Sequence, residues 1–357
     1  MPEIFDLDAL TMNEEEATQV SQAVFERTIT GGELSETHDI VTGIEHKTQI
    51  PFIGNIGLIG KKVTSCDRGV NPAQIPLTEK FWDPVLIGDR FKHCAVDVPS
   101  LFKLFKKAQR VNPDFYDRIG SEEMGVIVSK LEQALTAMLN RLVWFGDTAA
   151  ENVTDGGVIT DGVDVDYFNI IDGLWKQIMT EVPAGSANHV NIAANEGASY
   201  ALQALPANSA LGIFRAMHTQ IDARFFQAIE EGAQPEFLVT RGLWQNYQDE
   251  LEDESIGFTL AEVKDGVTQL SYRGIPIKVR HDWDNNIRAY QDNETTWNLP
   301  HRALLTVKEN IPVGTLSDAD FNTLESWYEK KDKANYIDID LKLDTKHLLP
   351  YMTVAAY

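Results

Sequence analysis

The sequence predicts an α+β chain with mixed sheets, on three observations. An apolar stripe at three-to-four spacing runs through Ile127, Leu131, Ala134, Leu135, Met138, Leu142 and Phe145, marking one long helix. From about residue 166 onward, short β-rich runs alternate with helical segments. Ahead of both lies a long Gly- and Pro-rich excursion with little core-forming periodicity. The 357 residues allow two ordinary domains or one large domain with lobes. Hydrophobic content of 43% and charged content of 24% are the proportions of a soluble globular chain.

In chain order, "NEEEATQVSQAVFERT" (13–28) reads as a short helix capped by Asn13, with acids at its positive end, and "TITGG" ends it. Extended stretches follow in "TQIPFIG" and "VLIGDRFKHCAVDV", separated by "DRGVNPAQIPLTEKFWDP". An arm this long with so little packing potential implies a partner or a function. "VPSLFKLFKKAQR" (98–110) is a basic amphipathic helix. The next helix spans 114–145, with Asn112 as cap and Pro113 at its first position, and stops at Gly146. Beyond it come the helix "DYFNIIDGLWKQIMTEV", a strand near "HVNIA", and one long helix through "NSALGIFRAMHTQIDARFFQAIEEG" capped by Ser209. The strand "PEFLVT", the helix "RGLWQNYQDELEDE", the hairpin "GVTQLSYRGIPIKVRHDW" and the strand and loop "HRALLTVKENIPVG" complete the lobe. The end, "NYIDIDLKLDTKHLLPYMTVAAY", alternates as β.

Composition narrows function. The net charge of −23, from 54 acids and 31 bases, disfavours broad nucleic-acid binding, which needs clustered Lys and Arg. No apolar run reaches the ~18 residues of a membrane span. The acidic start "MPEIFDLDALTMNEEE" lacks the regions of a signal peptide, so a cytoplasmic chain without membrane contact is expected. Cys66 and Cys94 agree with a reducing compartment and form no C-x-x-C pair, which argues against a zinc ribbon or redox motif.

Chemical motifs fail on spacing. "PFIGNIGLIGKK" (51–62) ends a glycine-rich run in Lys61 and Lys62, as a phosphate loop would. However, five residues separate Gly54 from Gly60, and Val63 stands where a hydroxyl should bind magnesium. No nucleotide site is expected. There is no G-x-S-x-G, and Ser186 reads as a loop serine. His93 and Cys94 are strand neighbours and point to opposite faces. His38 and His46 lack a recognised ligand spacing, and "HDWD" (281–284) reads as a helix cap. Asp161, Asp164 and Asp166 miss the calcium-loop order. No catalytic, cofactor or metal site is expected.

What remains is order: a short N-terminal arm, a long extended loop, a spine helix ending in "WFGDT", a Gly-rich crossing, and an α/β lobe. In that lobe "EFLVTRGLWQNYQDEL" precedes "LSYRGIPIKVRHDW", then "HRALLTVKENIPVG" and a β tail. From about residue 36 to the end, this order resembles the major capsid proteins of tailed bacteriophages, the Hong Kong 97-like fold. The resemblance implies an N-terminal arm at 1–35 and an E-loop at 36–95. It implies a peripheral domain at 96–165 and 316–357 around the 114–145 helix, and an axial domain at 166–315. It implies a shell subunit forming hexamers and pentamers of an icosahedral head around double-stranded DNA, assembled in the host cytoplasm and residing in the virion. Partners would be other copies, a separate scaffolding protein, a portal and decoration proteins. An encapsulin-type cellular shell uses the same fold, and an α/β enzyme with an unrecognised site is the rival of another class.

Under the shell reading, Lys61 and Lys62 sit in the E-loop. The basic face Lys103, Lys106, Lys107 and Arg110 would meet an acidic face of a neighbouring subunit, with Asp249, Glu250, Glu252, Asp253 and Glu254 the first candidates. The plainer alternative is that both are solvated faces.

Overall fold

The computed structural model describes residues 24, 26–30, 32–50, 80–94, 122–150, 159–160, 162–253, 261–264, 267–316, 325–329, 331 and 334–357. Near its start a π-helical turn at Glu26–Thr30 leads into helix α1 (Glu33–Thr37), so helical structure continues past the glycines expected to end it. Gly32 serves close approach instead: a Cβ there would lie 2.6 Å from the Arg27 carbonyl oxygen. Burial of Val24, Ile29 and Leu34 holds this corner against the main core.

The spine is α2 (Glu122–Phe145); residues 114–121 of the expected helix lie outside the described residues. Leu131, Leu135, Leu142 and Phe145 of the predicted stripe are buried, whereas Ala134 is exposed. Leu139, Val143 and Trp144 are buried as well, because the last turns are enclosed on several sides. Gly146 ends the helix where the chain doubles back. A Cβ on Gly146 would meet the Ile171 carbonyl at 2.5 Å, and one on Gly173 would meet the Gly146 nitrogen at 2.7 Å. Helix α3 (Leu174–Glu181) starts from that contact. Trp144, Trp175 and Trp283 then cluster with ring centroids 4.7–6.1 Å apart.

A five-stranded sheet lies beside the spine. Its long central strand β13 (Ala334–Thr345) pairs antiparallel with β4 (Val85–Cys94) along one side. Along the other side it pairs with β12 (Glu325–Glu329) and β11 (Val313–Thr315), and β1 (Ile40–Val41) runs parallel to β11. The alternation in "IDIDLKL" is realised directly. Ile337, Ile339, Leu341 and Leu343 are buried, while Asp338, Asp340 and Lys342 are only partly covered. A two-stranded ribbon, β2 (Thr48–Gln49) with β3 (Phe81–Trp82), sits at the edge of this layer.

The seven-stranded sheet has the order β5 (His189–Val190), β14 (Val354–Ala356), β10 (Ala303–Val307), β6 (Pro235–Val239), β9 (Ile275–Val279), β8 (Val267–Tyr272), β7 (Ala261–Lys264). Three adjacent strands, β14, β10 and β6, form a wall between two cores. Leu238, Leu304 and Ala355 face the spine's core. Phe237, Val239, Ala303, Leu305, Val354 and Ala356 face a second core. Strands covered on both faces read as unbroken apolar runs, which is what "FLV" (237–239) and "ALL" (303–305) are. The β8–β9 hairpin turns through Arg273 and Gly274, both at positive φ (52° and 82°), as a two-residue turn of the primed type requires. The tail expected to stay with 96–165 divides: β12 and β13 join the five-stranded sheet, but β14 joins the seven-stranded one.

The expected long helix after residue 208 is two helices, α4 (Ala210–Thr219) and α5 (Ala223–Glu230). Asp222 caps α5, its carboxylate accepting from Arg224 N at 2.8 Å, and this local cap interrupts the run. Ser209 does not cap α4; its hydroxyl donates to Pro206 O. The cap comes from helix α6 (Arg241–Asp253). Asn246 Oδ1 accepts from Ala210 N at 2.9 Å, and Glu250 Oε2 accepts from Leu211 N at 3.0 Å. Asp284, in helix α7 (His281–Tyr290), likewise accepts from Arg241 N at 2.8 Å and so caps α6 rather than its own helix.

Candidate functional site at the neck of the 36–95 segment

Ile50 and Lys80 bracket residues 51–79, which, with Lys61 and Lys62, lie outside the described residues. The neck itself is described in detail. Thr48 pairs with Trp82 and Gln49 with Phe81, and Ile50 N donates to Lys80 O at 3.1 Å. Beneath the ribbon Ile44, Ile50 and Trp82 form a small buried cluster against Val41 and Leu348. Gly314 makes room for it, since a Cβ there would lie 2.8 Å from both Ile44 and Trp82.

Polar tethers supplement this small apolar contact. Asp83 N donates to the buried Asp344 carboxylate at 2.7 Å, and Lys342 donates to Glu45 O at 2.9 Å. Lys80 donates to Glu181 on α3 at 2.5 Å and to the His347 carbonyl. Glu181 lies 2.6 Å from His347 Nδ1, and His347 Nε2 lies 2.7 Å from Thr353 Oγ1. Burial pushes the His347 imidazole below its ordinary range, against the opposing pull of Glu181. Burial alone would raise the Glu181 carboxyl; hydrogen bonds from His347 and Lys80 outweigh it and hold the group low.

Past the neck the surface changes character. Phe81, Val85 and Leu86 are exposed, Leu86 by 60%. On the same outer face Arg90 makes a two-pronged contact with Asp338 at 2.5 Å, and Lys92 lies 5.5 Å from the Tyr336 ring centre.

The other sequence-predicted residues are scattered. Lys103, Lys106, Lys107, Arg110 and Glu254 lie outside the described residues. Asp249 and Glu252 are exposed on α6, and Asp253 is its last residue. Glu250 is 6% exposed and committed to the α4 cap, so it is not part of a solvated acidic face. His38 is buried against Trp144, and burial together with the Arg280 charge pushes its imidazole down to about 3. It is therefore neutral and donates from Nδ1 to Ile311 O at 2.8 Å. His46 is exposed. Among the described residues no group of three or more His, Cys, Asp or Glu is placed to hold a metal, and no helix is long and apolar enough to cross a membrane. Lys80, Glu181, His347 and Thr353 were not anticipated. They are dispersed along the chain, and only the return of the β tail beside α3 brings them together.

No protein-family model and no curated protein matches this sequence. Solved structures do. The satellite phage P4 procapsid, a particle that includes the size determination (Sid) protein, superimposes with a TM-score of 0.50 at 11% identity, covering 97% of this chain and 98% of that one. The chain has the Hong Kong 97-like fold of phage capsid proteins. Lower-scoring matches are a Mycobacterium phage Ogopogo chain (TM-score 0.46, 9% identity, 91% of each chain) and the SrpI encapsulin of Synechococcus elongatus PCC 7942 (TM-score 0.46, 10% identity, 90% of this chain and 85% of that one).

Proposed function

We propose that the chain is the major capsid protein of a tailed bacteriophage, self-assembling as hexamers and pentamers of an icosahedral head around double-stranded DNA. The observation that carries this reading is the match to the P4 procapsid chain, which covers 97% of this chain. The neck supports it. A segment rooted by a two-stranded ribbon, beside exposed Phe81, Val85 and Leu86, is suited to reach a neighbouring copy. In this reading 36–95 is the E-loop, 96–165 and 316–357 are the peripheral domain around α2, and 166–315 is the axial domain, with β1, β4 and β11 carrying the other two into the peripheral sheet. The head forms in the host cytoplasm with a separate scaffolding protein, a portal and decoration proteins.

Subunits of net charge −23 repel at long range, so local contacts must offset that term. The basic residues Lys103, Lys106, Lys107 and Arg110 are the proposed local attraction. With Glu250 used inside the subunit, Asp249 and Glu252 are the exposed acids on α6 left to meet them. Electron microscopy of purified protein, with and without a scaffold, tests the assignment. Closed shells or capsomers are expected, and nucleic acid in particles from infected cells distinguishes a phage head from a cargo-enclosing shell. Scattering that shows only a compact 40 kDa monomer under all these conditions would contradict it.

A further inference from the structure

The tethers at the neck form one continuous polar line whose donors and acceptors follow atom by atom. Lys80 donates to Glu181 and to the His347 carbonyl. A carboxylate only accepts, so His347 Nδ1 carries the hydrogen in the 2.6 Å contact with Glu181. The buried ring is neutral, so Nε2 accepts from the Thr353 hydroxyl at 2.7 Å. The Thr353 oxygen accepts in turn from Asn310 Nδ2 at 2.9 Å, and Asn310 Oδ1 accepts from Leu349 N at 2.8 Å. Asn310 lies just after β10 and Thr353 just before β14, so the line runs from the neck, past α3, into the seven-stranded sheet. Gln177 holds the same tail, accepting from His347 N at 2.9 Å and donating to Thr345 O at 2.8 Å. His347, Thr353 and Asn310 are all buried.

We propose that this line is a proton-sensitive latch that fixes the neck of the 51–79 segment to the seven-stranded sheet and releases it without unfolding either core. Three observations carry the proposal. Among the described residues the buried apolar cluster at the neck is small, Ile44, Ile50 and Trp82, so polar contacts add materially to its hold. A second ion pair at the neck, Lys47 with Asp83 at 3.4 Å, is exposed and contributes little. The assigned hydrogens need Glu181 ionised and His347 neutral, with the Thr353 hydroxyl aimed at Nε2 rather than at Thr306 Oγ1, 3.3 Å away. A proton on Nε2 would set two donors face to face unless the Thr353 hydroxyl turned away, and a proton on Glu181 would remove an acceptor from Lys80 or His347.

The charged groups acting on His347 are Glu181 and Lys80, and the same pairing acts on Glu181. Nearby, Asp344 and Lys346 pair with each other at 3.0 Å, and the Tyr357 hydroxyl donates to Val182 O. Lys80 is one of the charges that hold the His347 imidazole low, so the ring takes up a proton more readily once Lys80 has moved away, and falling pH favours the released neck. Glu181, also held low, loses its contribution at still lower pH.

Hydrogen exchange read by mass spectrometry on the full chain tests this, with rates corrected for intrinsic pH dependence. At neutral pH, Lys80→Met and Glu181→Gln should each speed exchange at Ile50, Phe81 and Asp83 by about tenfold, leaving α2 and β6 unchanged. The double variant should be no faster than either single one, and Lys47→Met should match the parent. Lowering the pH of the parent stepwise below the ordinary histidine value should raise its neck exchange toward that of the variants. Neck exchange at the parental rate in both single variants, an equal acceleration in β6, or a parental neck insensitive to acid would each overturn the latch.

Discussion

The seven-stranded sheet and the neck of the 51–79 segment are held by opposite means. The sheet's adjacent strands β14, β10 and β6 bury Leu238, Leu304 and Ala355 on one side and Phe237, Val239, Ala303 and Leu305 on the other. Such packing resists small changes because each side chain is enclosed by others. The neck buries Ile44, Ile50 and Trp82, and otherwise rests on ionised and hydrogen-bonded groups drawn from distant parts of the chain. Apolar burial is indifferent to pH, whereas a polar line depends on the protonation of each member. The contrast assigns stability to the wall between the two cores and adjustability to the neck.

The largest expected effect falls on the wall. Leu304→Ala removes a fully buried side chain and should cost about 2–5 kcal/mol in denaturant unfolding, lowering the melting temperature of the whole subunit. If it loosened only the neck, the contrast would fail.

Acid should act next. His38 titrates at about 3 in the folded chain against an ordinary 6.5, so the unfolded state binds the proton first. Stability is full above 6.5 and declines as pH falls from there toward 3. His38→Gln should flatten that decline in melts followed against pH.

A change confined to the neck follows. Gly314→Ala would place a methyl 2.8 Å from Ile44 and Trp82. It should cost about 1–3 kcal/mol by overpacking and shift Trp82 fluorescence, with the wall's amide exchange unaltered. The smallest effect is at the α4 cap, where Glu250→Ala should cost about 1 kcal/mol. This loss should appear in the subunit's melt, independent of assembly, since Glu250 faces Leu211 N rather than solvent.

Legibility in the sequence tracked how local each cause was. The spine's stripe, the Arg273–Gly274 turn and the alternation of Ile337 to Leu343 are written in neighbouring residues, and they were readable. The break after Thr219 has a single local mark, the cap residue Asp222, set inside an otherwise continuous helical run. Ser209 was a reasonable cap by type, but Asn246 and Glu250 reach the same amides from another helix. The Lys80–Glu181–His347 line had no local signal at all. Each residue alone is an ordinary polar side chain, and the line exists only because β13 and the tail after it bring residue 347 beside α3. The capsid resemblance rests on the order of elements, and the fold is shared with the P4 procapsid chain at 11% identity.

The central claim is that the wall keeps the subunit folded while the segment beyond the neck joins subunits. Deleting residues 55–60 and comparing sedimentation with that of the parent tests it most directly. The account predicts a deletion variant with the parent's melting temperature that remains as small species where the parent forms shells. Shells from the variant at the parent's yield would contradict it.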